Sequence, residues 1–314
     1  MLKEKIVVSL GGNAIVRRGG SGTIEEQFAN AGAACACVAR IASGGSSVII
    51  THGNGPIVGN LVIQNESAKN TVPPMPLYIC DADSEGAIGF VIQQTLYNRL
   101  HKIHRIKEVV AVVTQVVVNP KDAAFGDPSK PVGPFYSKEE AEILSVSKGW
   151  AMKEDSFRGY RRVVPSPRPM RIVEAGVIGR LAEEGVVVIA AGGGGVPVVE
   201  DGEGMLSGID AVVDKDLSTA ILAVETKAKL IINLTQTDMV YLNFGKPGER
   251  GIPDMGIDEA RRYLAEGHFA PGSMRPKIEG AVEFLENGGD EVIITTPELV
   301  EEALGGRAGT RIRA

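Results

Sequence analysis

Six runs of the chain are apolar at consecutive positions instead of alternating ones, and this feature constrains the fold most. A strand that is apolar on both sides is typical of a parallel sheet covered by helices. The runs are Lys5–Leu10, Ser47–Thr51, Val109–Val118, Val186–Ala191, Leu230–Leu234 and Glu291–Thr295. Segments with helical spacing separate them, namely Ile24–Ala42, Gly86–Leu100, Arg171–Glu184, Leu217–Lys227 and Lys277–Asn287. This order predicts an α/β protein with a mainly parallel central sheet and helices on both faces.

Charge and composition exclude several classes of function. The 314 residues carry a formal net charge of −6, so no basic field attracts nucleic acid or anionic lipid, and neither partner is expected. No apolar run approaches the ~20 residues that span a bilayer, and we expect a cytoplasmic protein. Three cysteines without CxxC spacing and four histidines without HExxH spacing predict no metal held by protein nitrogen or sulfur.

Glycine clusters follow three of the predicted strands. Gly11–Gly12, Gly53–Gly55 and Gly192–Gly195 each lie where the chain leaves a strand. Ligands of such sheets bind beyond the carboxyl ends of the strands, where backbone N–H groups can approach an anion. A tight turn alone would explain any one cluster. Three clusters at one edge indicate a phosphate-like ligand, although the Walker A and Rossmann patterns are absent.

Three lysines in turns could supply the positive charge that phosphoryl transfer requires. They are Lys130, Lys215 and Lys277, and Lys277 opens a predicted helix whose dipole would act on the same anion. For each lysine alone, a solvated surface position is the alternative. Asp214 and Asp216 flank Lys215. Asp216 could cap the following helix, orient the lysines or help to hold hydrated Mg²⁺, and spacing leaves these alternatives open.

The stretch from Lys121 to Pro169 interrupts the βα order with prolines, aromatic residues and charges. We predict a small subdomain inserted at the sheet edge that acts as a lid. A long surface loop is the alternative.

Several motifs together resemble the carbamate kinases of the amino-acid kinase superfamily, in order and over essentially the whole chain. They include VVSLGGNAI, ITHGNGPIVGN, PSKPVGPFY, RRVVPSP, GIDAVVDKDLS and GHFAPGSMRPK. The resemblance implies a three-layer αβα sandwich of the amino-acid kinase type that works as a homodimer with Mg²⁺ and ATP or ADP. It also implies an acceptor lobe (1–210, including the insertion 121–169) and a nucleotide lobe (211–314).

The resemblance further implies reversible phosphoryl transfer between carbamoyl phosphate and ADP, giving ATP and carbamate. Lys130, Lys215 and Lys277 would neutralise the transferred group, and Asp216 would organise two of them. The candidate residues around the phosphoryl group and the carbamate are Gly11, Gly12, Asn13, Gly53, Asn54, Gly55, Gly193 and Gly194.

At several positions the chain differs from the residues that are usual in the motifs of the family. Asp83 and Glu85 stand in a segment that is normally uncharged, which predicts an acidic loop near the acceptor. The other departures are Ile57, Gln236, Thr237, Met239 and Arg275. Two other functions therefore stay open: a related enzyme with another small carboxylate or phosphate acceptor, and a nucleotide-sensing regulator without turnover.

Overall fold

A computed structural model describes residues 4–12, 15–16, 20, 22–105, 107–154 and 159–314. The strands in these ranges are β1 Lys5–Leu10, β2 Ser47–His52, β3 Val109–Ala111, β4 Gln115–Val118, β5 Lys130–Tyr136, β6 Met152–Glu154, β7 Tyr160–Val164, β8 Pro169–Ile172, β9 Val187–Ile189, β10 Val196–Glu200, β11 Leu206–Gly208, β12 Leu230–Leu234, β13 Val240–Leu242, β14 Arg250–Ile252, β15 Asp254–Gly256, β16 Glu291–Thr295 and β17 Thr310–Arg313. The α-helices are α1 Ile24–Ser43, α2 Gly55–Ala68, α3 Leu77–Lys102, α4 Lys138–Lys148, α5 Ala175–Glu183, α6 Lys215–Glu225, α7 Ile257–Ala265, α8 Met274–Glu286 and α9 Val300–Leu304.

The central sheet has eight strands in the order β15-β17-β16-β12-β1-β2-β9-β3. All neighbouring strands run parallel except β16 and β17, which are antiparallel. Three smaller sheets have the orders β11-β10-β4-β8, β13-β14 and β5-β7-β6. The predicted α/β class with a mainly parallel sheet is thus confirmed.

Alternate residues of the central strands fill two separate hydrophobic cores. Val7 and Ile49 belong to the core that includes residues of α5, α6 and α8, whereas Ile6, Val8 and Ile50 belong to the core with α1 and α3. Because side chains alternate across a strand, both faces of each strand are buried, which accounts for the continuous apolar runs in the sequence.

Two predictions of secondary structure are wrong. The run Val109–Val118 is not one strand: β3 ends at Ala111, and β4 pairs with β10 in a different sheet. Asp83 and Glu85 do not lie in a loop but in α3, which begins at Leu77. The resemblance placed them in a loop near the acceptor, whereas packing of α3 on α1 and β3 stabilises a long helix.

Residues 121–169, which the sequence predicts to be an inserted subdomain, contain the three-stranded sheet β5-β7-β6 and the helix α4. Ser137 and Glu140 form a capping box at the start of α4. A small apolar cluster that includes Val58, Val132 and Val164 joins this sheet to the rest of the protein. Within the described ranges, no helix is long and apolar enough to cross a membrane.

Candidate active site

The start of α6 places two aspartates and a lysine at the carboxyl edge of the central sheet. Asp214 is the N-cap residue, and its Oδ1 accepts a hydrogen bond of 2.9 Å from the Asp216 N–H. Helix capping by Asp216, one of the alternatives that its spacing left open, is therefore wrong. The side chain of Asp216 is therefore free to contact other groups.

Asp216 joins two of the predicted lysines. Its Oδ1 lies 2.7 Å from Nζ of Lys215, and its Oδ2 lies 2.8 Å from Nζ of Lys277. Lys277 comes from α8, which approaches α6 closely because Gly280 faces the backbone of Asp216. A Cβ on Gly280 would lie only 2.7 Å from the carbonyl oxygen of Asp216. Lys215 also donates to the hydroxyl of Ser9 in β1.

The charges of Asp216, Lys215 and Lys277 stabilise one another. Burial acts to raise the pKa of Asp216, but the positive charges of Lys215 and Lys277 outweigh it and hold this pKa well below its ordinary value. Burial lowers the pKa of Lys215, whereas the carboxylate of Asp216 acts to raise it. The site thus holds an ionised aspartate between two ammonium groups, with excess positive charge for an anion.

The third lysine comes from the inserted subdomain. Nζ of Lys130, in β5, lies 2.7 Å from Oδ2 of Asp214. The residues Lys130, Lys215, Lys277, Asp214 and Asp216 therefore form one connected group, called the lysine cluster below. The structure brings together all three lysines that the sequence singled out, although they lie far apart along the chain.

Glycines permit close contacts between the turns at this edge. A Cβ on Gly53 would lie 2.8 Å from Cα of Gly12, and one on Gly193 would lie 2.1 Å from Nδ2 of Asn54. Gly193 also has a φ of +67°, which favours glycine. Gly55 instead begins α2 and has open space beside it. Asn13 lies outside the described residues.

Asn54 is held by residues that the sequence did not single out as partners. Its Nδ2 donates to Oγ of Ser84 at 2.8 Å and lies 3.4 Å from Oδ1 of Asp81. Asp81 and Glu85 are buried in α3 and are called the acid cluster below, whereas Asp83 is exposed. The expected acidic loop facing the acceptor is therefore replaced by two buried carboxyl groups of a helix.

The carboxyl groups of the acid cluster are in a different state from that of Asp216. Burial raises the pKa of Asp81 well above its ordinary value, and the nearby Asp210 adds to the rise. Burial also raises the pKa of Glu85 well above its usual range, although a hydrogen bond from the Thr114 N–H opposes it. Burial thus favours the uncharged form of these two groups, whereas the neighbouring ammonium groups favour the ionised form of Asp216.

A cavity of about 590 Å³ opens beside Lys277 at the start of α8. It reaches the first glycine turn and the tip of the β13–β14 hairpin. Its lining residues are Gly11, Gly12, Thr235, Gln236, Thr237, Met239, Tyr241, Phe244, His268, Phe269, Ala270, Gly272, Ser273, Met274 and Lys277. Aromatic walls next to an ammonium group and a helix N-terminus suit a nucleotide with its phosphates toward the lysines.

Sequence reasoning missed Ser9, His52 and the role of Asp214. Ser9 and His52 are polar residues near the ends of otherwise apolar buried strands, and this contrast was the available signal. His52 lies against the backbone of Gly192, and its ring is fully buried. Burial, together with the charge of Lys215, lowers the pKa of His52 to about 4, so its ring is neutral at neutral pH.

A model of the "Amino acid kinase family" matches residues 4–296 of the chain. Carbamate kinase of Pyrococcus furiosus is 46% identical over 312 residues, covering 98% of this chain and 99% of that protein. The "Carbamate kinase-like protein YahI" of Escherichia coli K12 is also 46% identical, over 99% of each chain. The structure of carbamate kinase from Giardia lamblia bound to AMP-PNP is 40% identical, with a TM-score of 0.92 over 99% of this chain and 98% of that one.

Proposed function

The chain belongs to the amino acid kinase family and, within it, to the carbamate kinases, and from this premise we propose how its residues carry out the reaction. It is an ATP-dependent phosphotransferase that moves a phosphoryl group between carbamoyl phosphate and ADP, giving ATP and carbamate. The observation that carries the residue assignment is the convergence of Lys130, Lys215 and Lys277 on two neighbouring aspartates.

The three lysines stabilise the charge of the phosphoryl group during transfer. Such a reaction needs little covalent help from the protein and depends on positioned positive charge. Lys215 and Lys277 are fixed by Asp216, so their ammonium groups need not reorganise as charge develops. Lys130 is brought in by the inserted subdomain, which we propose to act as a lid.

The acceptor side is formed by the turns that contain Gly12, Gly53, Asn54 and Gly193, together with Gly11, Gly55 and Gly194, and a role of Asn13 stays a prediction from the sequence. Asn54, oriented by Ser84 and Asp81, offers an amide to the carbamoyl or carbamate group. The nucleotide occupies the cavity beside Lys277. This division assigns residues 1–210 to the acceptor lobe and residues 211–314 to the nucleotide lobe.

Mg²⁺ would accompany the nucleotide and supply further positive charge to its phosphates. The described residues contain no group of three or more acidic, histidine or cysteine side chains placed to hold a metal ion. Asp214 and Asp216 are engaged by lysines, so the site fits a cation held mainly by phosphate oxygens and water, as is usual for Mg²⁺.

We also propose a homodimer. Apolar side chains are exposed on α3 and beside the edge strand β3, with Phe90 54% and Val113 52% exposed. Light scattering on the purified protein should give twice the mass of one chain. The cytoplasmic location stays a prediction from the sequence.

The function is tested by supplying ADP, Mg²⁺ and carbamoyl phosphate and coupling ATP formation to a reporter enzyme. We expect ATP formation that requires all three components. Another small acceptor is the second candidate, because YahI is as similar as the carbamate kinases and because the acid cluster lies beside Asn54. Binding of nucleotide without ATP formation from carbamoyl phosphate would favour that candidate or a regulator without turnover.

A further inference from the structure

The carboxyl group of Glu85 takes no part in the reaction described above, yet it supports a segment that contacts both the acceptor residue Asn54 and the helix α6 of the lysine cluster. This segment is the glycine turn, residues 192–195. Oε2 of Glu85 accepts a hydrogen bond of 2.7 Å from the Thr114 N–H, and Oγ1 of Thr114 accepts one of 2.9 Å from the Ala191 N–H. A Cβ on Gly192 would lie 3.1 Å from Cγ of Glu85. Glu85 therefore fixes the entry to the turn directly and through Thr114.

The glycine turn lies between the acceptor residues and the lysine cluster. Gly193 packs on the amide of Asn54. The carbonyl oxygen of Gly194 accepts a hydrogen bond of 2.7 Å from Oγ of Ser218 in α6, the helix that begins with Lys215. A shift of the turn would therefore change the distance between Asn54 and Lys215.

The surroundings of Glu85 disfavour a negative charge. Asp81 on the same helix and Glu174 at the start of α5 are its acidic neighbours, and burial raises its pKa. His52 in β2 faces the same turn but is neutral at neutral pH. No salt bridge to Glu85 occurs among the residues that the structure describes, and its Oε1 makes no hydrogen bond of good geometry there. The backbone N–H groups of Thr114 and Gly192 act to lower the pKa of Glu85, but burial outweighs both. Burying an unpaired charge in such a place is costly, whereas a neutral acid is tolerated.

We propose that Glu85 is a positioning residue for phosphoryl transfer: its uncharged acid form holds the glycine turn, and loss of its proton as pH rises loosens the turn. The role in catalysis rests on the proposed function. The protonation state does not, since it can be measured without substrate.

The first test compares the Tm of the wild type and Glu85→Gln from about pH 4.5 to about pH 9. An unfolded glutamate loses its proton near pH ~4.3, whereas the folded protein keeps it, so wild-type stability falls relative to the variant as pH rises. We expect a Tm difference in favour of Glu85→Gln that widens with pH until the native group ionises. Asp83→Asn, which removes an exposed charge from the same helix, should show no such widening. A constant or narrowing difference for Glu85→Gln would overturn the proposal.

The second test uses ATP formation from carbamoyl phosphate and ADP. Glu85→Gln, a neutral residue of the same shape, should keep kcat within about two-fold at neutral pH. We expect wild-type activity to decline as pH rises and Glu85 loses its proton, and we expect Glu85→Gln to lack this decline. Glu85→Ala should lower kcat or raise the KM for carbamoyl phosphate by about ten-fold or more, with the KM for ADP little changed. An unchanged decline with rising pH in Glu85→Gln, or wild-type kinetics in Glu85→Ala, would contradict the positioning role.

The two tests distinguish a failure of the proposed function from a failure of the proposal for Glu85. If the wild type forms no ATP, the proposed function is wrong, whereas the Tm comparison still decides whether Glu85 carries a proton. If Glu85→Ala does not fold, the pH dependence of Glu85→Gln decides the proposal alone.

Discussion

The lysine cluster and the acid cluster lie at the same edge of the sheet, and Asp216, Asp81 and Glu85 are all buried, yet the pKa values of these carboxyl groups are shifted in opposite directions. Asp216 has two ammonium groups within 2.8 Å and a lowered pKa. Asp81 and Glu85 have hydrogen-bond donors but no cationic partner in the part of the chain that the structure describes, and burial raises the pKa of both. The difference teaches that a cationic partner, more than burial, decides whether a carboxyl group here can organise charge for phosphoryl transfer.

Removal of the lysines tests the contrast between the two clusters most strongly. Lys215→Met and Lys277→Met, tested singly, should lower kcat for ATP formation by roughly 10²–10³-fold, because each removes a preorganised charge from the transition state. Lys229→Met is the matched control: this exposed lysine also pairs with an aspartate, Asp290, but the two residues directly precede β12 and β16, at the edge of the sheet opposite the site. Near-normal turnover in either site variant would reject the assigned lysine cluster.

Asp216→Asn should affect both folding and activity. It leaves two buried ammonium groups without their anion, and breaking a buried pair in this way costs roughly 3–5 kcal/mol. Because the native pKa of Asp216 is lowered, its stabilisation is present above the unfolded pKa of ~3.9 and is lost as pH falls through the lower native pKa. Denaturant unfolding of the variant should therefore show a deficit at neutral pH that narrows in acid. A deficit that stays constant with pH would contradict the ionised state of Asp216.

Lys130 should behave differently from the two fixed lysines, since it comes from the inserted subdomain. We expect protease sites within residues 121–169 to be protected by ADP and carbamoyl phosphate, and Lys130→Met to weaken both this protection and substrate binding. Lys153→Met is the matched control, because this lysine pairs with Asp127 inside the subdomain. Identical cleavage with and without ligands would argue against a lid.

Asp81→Asn should have the smallest effect. The amide can still accept the hydrogen bond from Asn54, and the carboxyl group that it replaces carries no useful charge. We expect stabilisation of about 1 kcal/mol at neutral pH, measured by denaturant unfolding, and none near pH ~4. A loss of stability comparable to that of Asp216→Asn would show that the two clusters are not different after all.

The sequence was sufficient for most of the fold but not for the surroundings of the site. β1, β12 and β16 have the predicted bounds, because strands buried on both faces leave an unmistakable apolar run. The sequence could not show that Val109–Val118 divides into two strands, because an apolar run does not reveal which sheet its residues join. The motif residues Lys130, Lys215 and Lys277 were found, whereas the pairing of Lys130 with Asp214 depends on a contact across 84 residues of chain.

The acid cluster was the least predictable part, because the resemblance placed Glu85 in a loop near the acceptor and gave Asp81 no role. Their burial depends on where α3 packs, which local pattern does not contain. The same holds for His52, whose neutral state follows from burial and from the charge of Lys215.

Infrared difference spectroscopy at neutral pH tests the contrast between the clusters most directly, because protonated and ionised carboxyl groups absorb at separate frequencies. The wild-type spectrum minus that of Glu85→Gln should contain the carbonyl band of a protonated acid, and the wild-type spectrum minus that of Asp216→Asn should contain carboxylate bands. A carboxylate signal from Glu85, or a protonated-acid band from Asp216, would contradict the account.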